Sequence, residues 1–268
     1  PLNLIIIGVH CDLKIVAIIQ ARMGSSRLPG KVMADIAGKP MIHHVVSRIR
    51  RAKTVDLVAV ATSTHESDDI LASYCTDAGI PCFRGSENDV LDRYYRAAEH
   101  FGADIIVRLS SDCPLHDPDV VDMTVRTLLE GEADFVSGGL ETTFPDGLDA
   151  AAFPMTTLEK TWREATLRSD REHVTTYIHK NPSLFRKKSI RNTEDLSNHR
   201  WTVDEPRDLE FVRRVYALLG EKPFGMRDVL ELLDRHPEIT TINAGISRNE
   251  GYAKSLEEEA RGKGKGGP

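Results

Sequence analysis

Short apolar, β-branched runs alternate with stretches of helical period through the first half of this chain, and that alternation limits the fold more than any other feature. Residues 15–21 form a continuous apolar run ending in polar residues. The pattern recurs at 57–62, 104–109 and 133–137, with a shorter run at 81–84. Runs apolar on both faces suit a sheet covered by helices on both sides. Between them, Ile42, Val45, Val46 and Ile49 follow i, i+3, i+4, i+7 spacing, and Val90, Leu91, Tyr94, Tyr95, Ala98 and Phe101 make a second stripe. Val120, Val121, Val125 and Leu128 make a third, with Pro118 suited to a first helical turn. This alternation predicts right-handed βαβ units, and hence an α/β fold with a doubly wound, mostly parallel sheet. Ligands of such sheets bind beyond the carboxyl ends of the strands. The loops after Ala21, Thr62 and Leu109 are therefore where a site is expected, and Thr62 and Ser63 become candidate ligand contacts.

The second half is less regular. Residues 139–154 have no clear period. Helices are predicted at 155–167 and 169–180, strand-like stretches at 185–191 and 201–203, and amphipathic helices at 206–219 and 226–235. A length of 268 residues favours one large domain, placed at 14–240. Residues 1–13 read as an N-terminal extension, and 241–268 as a C-terminal segment ending in a disordered Gly/Lys tail.

Lys and Arg are outnumbered 35 to 41 by Asp and Glu, giving a net charge of −6. That balance argues against nucleic acid as the partner, while leaving room for a local basic pocket. Cys11, Cys75, Cys82 and Cys113 form no C-x-x-C pair and have no histidine placed to complete a zinc site. They read as free thiols of a reducing, cytoplasmic compartment. The apolar start, Leu4 to Ile7, lacks a basic flank and a cleavage site, so neither a signal peptide nor a membrane span is expected.

The segment Gln20-Ala21-Arg22-Met23-Gly24-Ser25-Ser26-Arg27-Leu28-Pro29-Gly30-Lys31 follows the first strand directly. Gly24, Ser25 and Ser26 let backbone N–H groups approach a phosphate, and Arg22, Arg27 and Lys31 bring three positive charges to one loop. At an effective dielectric near 20, each close charge pair is worth roughly 4 kcal/mol before desolvation. The loop lacks the G-x-x-x-x-G-K-[ST] spacing of a Walker motif and the G-x-G-x-x-G dinucleotide fingerprint. The one match to the latter, Gly262, Gly264 and Gly267, falls in the tail without a preceding strand.

Elsewhere simpler readings compete. Asp112 ends a buried run and could begin a turn, and Asp204-Glu205-Pro206 is also a plain helix start, with Asp208 suited to the helix N-terminus. Asp89 and Arg93 could pair across one helical turn. Asp146-Gly147 reads as a turn. Ser169 and Glu172 fit a capping box, which leaves Arg171 and His173 as candidates for an acidic ligand. His43 and His44, adjacent on a helix, read as packing residues.

"IIQARMGSSRLPGKV", "GSENDVLDRYYRAA", "IVRLSSDCPLHDP", "FPDGLDA", "DREHVTTYI" and "WTVDEPRDLEFV" stand in this order over about 14–240. Together they resemble the cytidylyltransferases that make CMP-linked acidic sugars, closest to the spore coat polysaccharide biosynthesis protein F family and related to CMP-Kdo synthetases and acylneuraminate cytidylyltransferases. The resemblance implies a nucleotide-diphospho-sugar transferase fold. It also implies CTP and a small acidic acceptor as substrates, Mg²⁺ held by Asp112 and Asp204, a homodimer formed through the 139–200 region, and a role in surface polysaccharide synthesis. Gln20, Ala21, Arg22, Gly24, Ser25, Ser26, Arg27, Lys31, Asp92 and Arg93 would face the nucleotide, and Asp146, Arg171 and His173 the acceptor. Arg22, Arg27 and Lys31 would neutralise the departing pyrophosphate. Asp112 and Asp204 are expected to converge as the ends of neighbouring parallel strands. Two departures stand out: Ala150-Ala151-Ala152 where the family usually carries a Glu after "DGLD", and Ser111 where a glycine often precedes the Asp. A glycosyltransferase using a preformed nucleotide sugar is the rival enzyme, but it typically needs Asp-x-Asp where this chain has the single Asp112. A non-catalytic sugar-nucleotide-binding protein is the rival from another class, and the intact loop and both aspartates argue against it.

Overall fold

In the computed structural model, residues 13–220 and 222–246 are described. The expectations for the N-terminal extension, Cys11 and the Gly/Lys tail fall on residues outside these ranges.

The strands and helices run β1 (Ile15–Gln20), β2 (Asp35–Ile36), β3 (Lys39–Pro40), α1 (Met41–Ile49), β4 (Leu57–Ser63), α2 (Asp69–Asp77), β5 (Cys82–Gly85), α3 (Val90–Phe101), β6 (Ile105–Ser110), α4 (Pro118–Leu129), β7 (Phe135–Ser137), β8 (Ala151–Pro154), α5 (Met155–Glu164), α6 (Arg168–His173), α7 (Thr176–Lys180), β9 (Lys187–Ser189), α8 (Pro206–Leu219) and α9 (Met226–Arg235). Seven strands form one sheet in the order β5-β4-β1-β6-β8-β7-β9. β5, β4, β1 and β6 are parallel, β8 runs antiparallel to both neighbours, and β9 is parallel to β7. The expected doubly wound, mostly parallel sheet is present.

The continuous apolar runs have the cause assigned to them. Val16 and Ile18 face a cluster with Leu91, Tyr94 and Phe153, whereas Ala17 and Ile19 face one with Ile42, Val45, Val121 and Val215. Both faces are therefore covered, and each fully buried Ile contributes roughly 1.5–3 kcal/mol. Among the described residues, no helix is long and apolar enough to cross a membrane.

The structure departs from these expectations in four places. Residues 201–203 are not a strand. They run extended, with Trp201 N donating to Asp146 O at 2.7 Å and Val203 N to Asp112 O at 2.7 Å, and only Arg200 makes a β-bridge, to Asp146. The helix expected over 169–180 is split into α6 and α7 by Val174, whose φ of 60° no α-helix accommodates. The aperiodic 139–154 stretch hides β8, whose alanines are buried on both faces and so give no alternation. α2 was not expected at all, because only Leu71 and Cys75 of its nine residues are buried.

Candidate active site

The loop after β1 is held open by backbone contacts. Met23 O accepts from Ser25 N and Gly30 N, both at 2.9 Å. Met23 N donates to the buried Asp68 carboxylate at 2.7 Å, which also accepts from Ser63 N and Oγ. Asp68 thus ties the end of β4 to the loop, a role the sequence did not reveal. Gly30 adopts φ 72°, which favours glycine, and turns the chain into a short 3₁₀ segment, Lys31–Met33.

That turn sends Lys31 inward. Its Nζ donates to Asp112 Oδ2 at 3.1 Å, Asp204 Oδ1 at 2.9 Å and Val203 O at 2.7 Å. Burial disfavours the ammonium, yet the two carboxylates outweigh it and raise the Lys31 pKa. Burial likewise opposes ionisation of Asp112, but the adjacent ammonium holds its carboxyl below the usual range. Arg27 Nη2 lies 3.0 Å from Asp204 Oδ1. On the far side the largely buried Arg200 guanidinium meets Asp204 at 3.3 Å, Asp208 at 2.9 Å and Asp146 at 3.2 Å. Asp208 also accepts from the N–H groups of Asp204 and Glu205, completing the expected helix-start role.

Asp112 and Asp204 do converge, but not as ends of neighbouring strands, since β6 lies between β1 and β8. The extended 200–204 segment is laid across the Asp112 and Asp146 backbones instead. Gly147 makes that crossing fit: a Cβ there would lie 2.7 Å from Thr202 N. Asp146-Gly147 is therefore a seam of the fold, with the Asp146 carboxylate engaged by Arg200.

Arg27, Lys31, Asp112 and Asp204 border a cavity of about 550 Å³ at the carboxyl ends of β1 and β6. Gln20, Ala21, Arg22, Gly24, Ser25, Ser26, Arg27, Lys31, Arg93, Asp112, His173 and Asp204, all singled out in the sequence, line it. The remaining candidates lie elsewhere. Thr62 and Ser63 are fully buried. Asp92 accepts from the Trp162 indole at 2.8 Å and so braces α3 against α5. Arg171 is committed to Asp89, with contacts of 2.9 and 2.6 Å, and to the Trp162 carbonyl at 2.7 Å. That pairing displaces the expected Asp89–Arg93 contact: Arg93 instead donates to Ser86 O at 2.8 Å. Asp146, whose carboxylate Arg200 engages, is not part of the lining.

Glu172 was misread. α6 begins after Leu167, so Ser169 and Glu172 do not form a capping box, and Glu172 lines the cavity beside His173. Ser110, Ser111 and Val90 complete the wall. His43 bonds Tyr74 and His44 bonds Ile36 O, as packing residues.

Chemically, the cavity offers a loop of small residues and backbone N–H groups, cations at Arg22, Arg27 and Lys31, and two carboxylates on one ammonium. It suits a polyphosphate with its reacting phosphorus near Asp112 and Asp204. The cytidylyltransferase family profile matches residues 16–237. The chain belongs to this family. It is 33% identical to the spore coat polysaccharide biosynthesis protein SpsF of Bacillus subtilis, over 85% of this chain and 97% of that protein. An uncharacterised protein of Methanocaldococcus jannaschii is 34% identical over 87% and 96% of the two chains. A solved cytidylyltransferase from Leptospira borgpetersenii superposes with a TM-score of 0.83 at 33% identity, over 88% of this chain and all of that one. This cytidylyltransferase is accordingly a CTP-dependent nucleotidyltransferase with the nucleotidyltransferase fold the sequence predicted.

Proposed function

We propose that the enzyme joins CMP from CTP to a small acidic sugar or related acid, releases pyrophosphate, and serves surface polysaccharide synthesis. The observation that carries the reaction is the Asp112–Lys31–Asp204 bridge at the mouth of the small-residue loop. An acceptor oxygen attacks the α-phosphorus in line, forming the new P–O bond as the bond to pyrophosphate breaks, and the acceptor proton passes to solvent. Arg22, Arg27 and Lys31 stabilise the charge on the leaving pyrophosphate. Support for the polysaccharide role comes from the relative SpsF, named for spore coat polysaccharide biosynthesis. Support for an acidic acceptor comes from the 3-deoxy-manno-octulosonate cytidylyltransferase of Geobacter sulfurreducens, 40% identical over 45% of this chain and 48% of that one.

Asp112 and Asp204 are the residues proposed to hold Mg²⁺. No group of three or more His, Cys, Asp or Glu side chains that could hold a metal occurs among the described residues. Two carboxylates suit an ion that takes one or two protein carboxylates and completes its octahedron with phosphate oxygens and water. When bound, the ion would polarise the α-phosphate and lower the acceptor hydroxyl's pKa.

Pyrophosphate release from the four nucleoside triphosphates, assayed with acidic acceptors across a Mg²⁺ titration, tests this reading. Asp112→Asn and Asp204→Asn should each lose ~10²-fold or more in turnover while staying folded. Wild-type turnover in either folded variant, or faster release from UTP or GTP, overturns the corresponding part. A homodimer is also proposed, supported by Leu167 and Leu184, which are exposed in the 139–200 region. A monomer by light scattering at micromolar concentration overturns it.

A further inference from the structure

Arg108 has no role in the reaction as described above. It lies on β6, paired in register with Ile18 of β1 on one side and Ala151 of β8 on the other. It faces the α3 side of the sheet, because Ile106, two residues earlier, packs in the cluster with Tyr94. Its guanidinium is directed toward the carboxyl end of the sheet, since Nη2 reaches Gln20 Oε1, at 3.4 Å. Gln20 lines the cavity, as does Ser110, the next residue of β6 on the same face, and Arg108 lies directly behind this lining rather than in it.

The guanidinium is under-used. The contact with a neutral amide is long for a hydrogen bond, and Nε is buried with no partner at all. Among the described residues no carboxylate pairs with Arg108. Two other arginines of this fold are saturated: Arg171 takes Asp89 and the Trp162 carbonyl, and Arg200 takes three aspartates. Arg93, whose Nε is likewise buried without a partner, still gives Nη1 to Ser86 O at 2.8 Å. A half-buried arginine keeps its charge at any working pH, and leaving its donors unpaired is costly unless a ligand satisfies them. On the strand opposite, Ala151 supplies neither charge nor bulk.

The geometry points to Arg108 as the anchor for the anionic group of the acceptor, the guanidinium taking a carboxylate between β6, Gln20 and the α6 wall that carries Glu172 and His173. This rests on the acidic-acceptor reading and deepens it. The triphosphate has its own cations on the β1 loop, one strand-width away. With Ala151 opposite, the positive charge of Arg108 is not cancelled, so the acceptor must bring the negative charge itself. A carboxylate meets the forked donors of arginine through two parallel hydrogen bonds, which a neutral amide or ester cannot match.

The test compares acids with their own carboxamides. Wild type, Arg108→Gln and Arg108→Lys are assayed for pyrophosphate release from CTP with N-acetylneuraminate, 3-deoxy-manno-octulosonate and glycerate, and with the amide of each. Melting curves check folding, and CTP-induced thermal shifts without acceptor check the nucleotide site. Wild type should prefer the best acid over its amide. Arg108→Gln should raise KM for that acid roughly 10- to 100-fold and lose the preference, with the CTP shift retained. Arg108→Lys should fall between them. If wild type prefers the acid and Arg108→Gln prefers it equally, the Arg108 assignment is overturned while the acidic-acceptor reading stands. If wild type turns over amides as well as acids, or no acid at all, both fall together.

Discussion

Lys31 stands at the centre of the site because its three contacts come from two segments far from it in sequence: Asp112, and the adjacent pair Val203 and Asp204. Lys31→Met should lower turnover by ~10²- to 10³-fold, the scale of losing one donor aimed at developing charge. CTP use should suffer more than CMP product binding, which lacks the outer phosphates. Equal losses for CTP and CMP, measured by titration calorimetry, would place the ammonium away from the pyrophosphate. Asp92 provides the contrast. Its carboxylate is committed to the Trp162 indole at 2.8 Å and serves as a brace between helices, so Asp92→Asn, which keeps an acceptor oxygen, should change turnover by less than about 3-fold. Neighbouring positions in one motif thus separate: Arg93 reaches the cavity and Asp92 does not, a difference of helix face that spacing alone left open.

At the scale of elements, α6 carries Glu172 and His173 to the cavity and is fixed to the start of α3 by Arg171 and Asp89. The pair is bidentate and partly exposed, so Arg171→Gln should cost about 1–2 kcal/mol in urea unfolding. It should raise KM for the acceptor more than KM for CTP; the reverse order would detach α6 from the acceptor side. The β1–α1 and β6–α4 units were legible because buried strands and amphipathic helices carry distinct periods, and the basic loop was legible because it follows such a strand. The apolar side chains of residues 201–203 suggest a strand, but their hydrogen bonds go to Asp112 and Asp146 rather than to a strand neighbour. The break at Val174 was invisible because a β-branched residue at φ 60° contradicts its own preference and is imposed by tertiary packing. The Ser169–Glu172 spacing matched a local motif, and that match concealed a residue of the cavity wall.

For the molecule as a whole, two histidines with depressed pKa values set how stability responds to acid: His116, which is buried, and His179, whose residue is exposed overall. Burial pushes His116, at the β6–α4 junction, down to about 4, and partial desolvation of the ring, with Lys187 and Arg108 adding to it, lowers His179 of α7 to about 4. Unfolded, both return to an ordinary value near 6.5. Between pH 6.5 and 4 the unfolded chain therefore binds protons that the folded chain does not, and stability falls as pH drops through that window. For His116 the full effect is on the order of 3 kcal/mol. Below it, Asp208 adds to the loss. Burial opposes its charge, but Arg200 and the Asp204 N–H keep its pKa beneath 3.8, so the stability it contributes is present above 3.8 and disappears as pH falls through its folded value. Urea unfolding of wild type from pH 7.5 to 4 should show a declining free energy at a nearly constant m-value. His116→Phe should flatten the slope between 6.5 and 4, even if the larger ring lowers stability at pH 7.5. A wild-type profile flat across that window, or a His116→Phe profile parallel to it, would mean that the buried imidazole takes up its proton without unfolding.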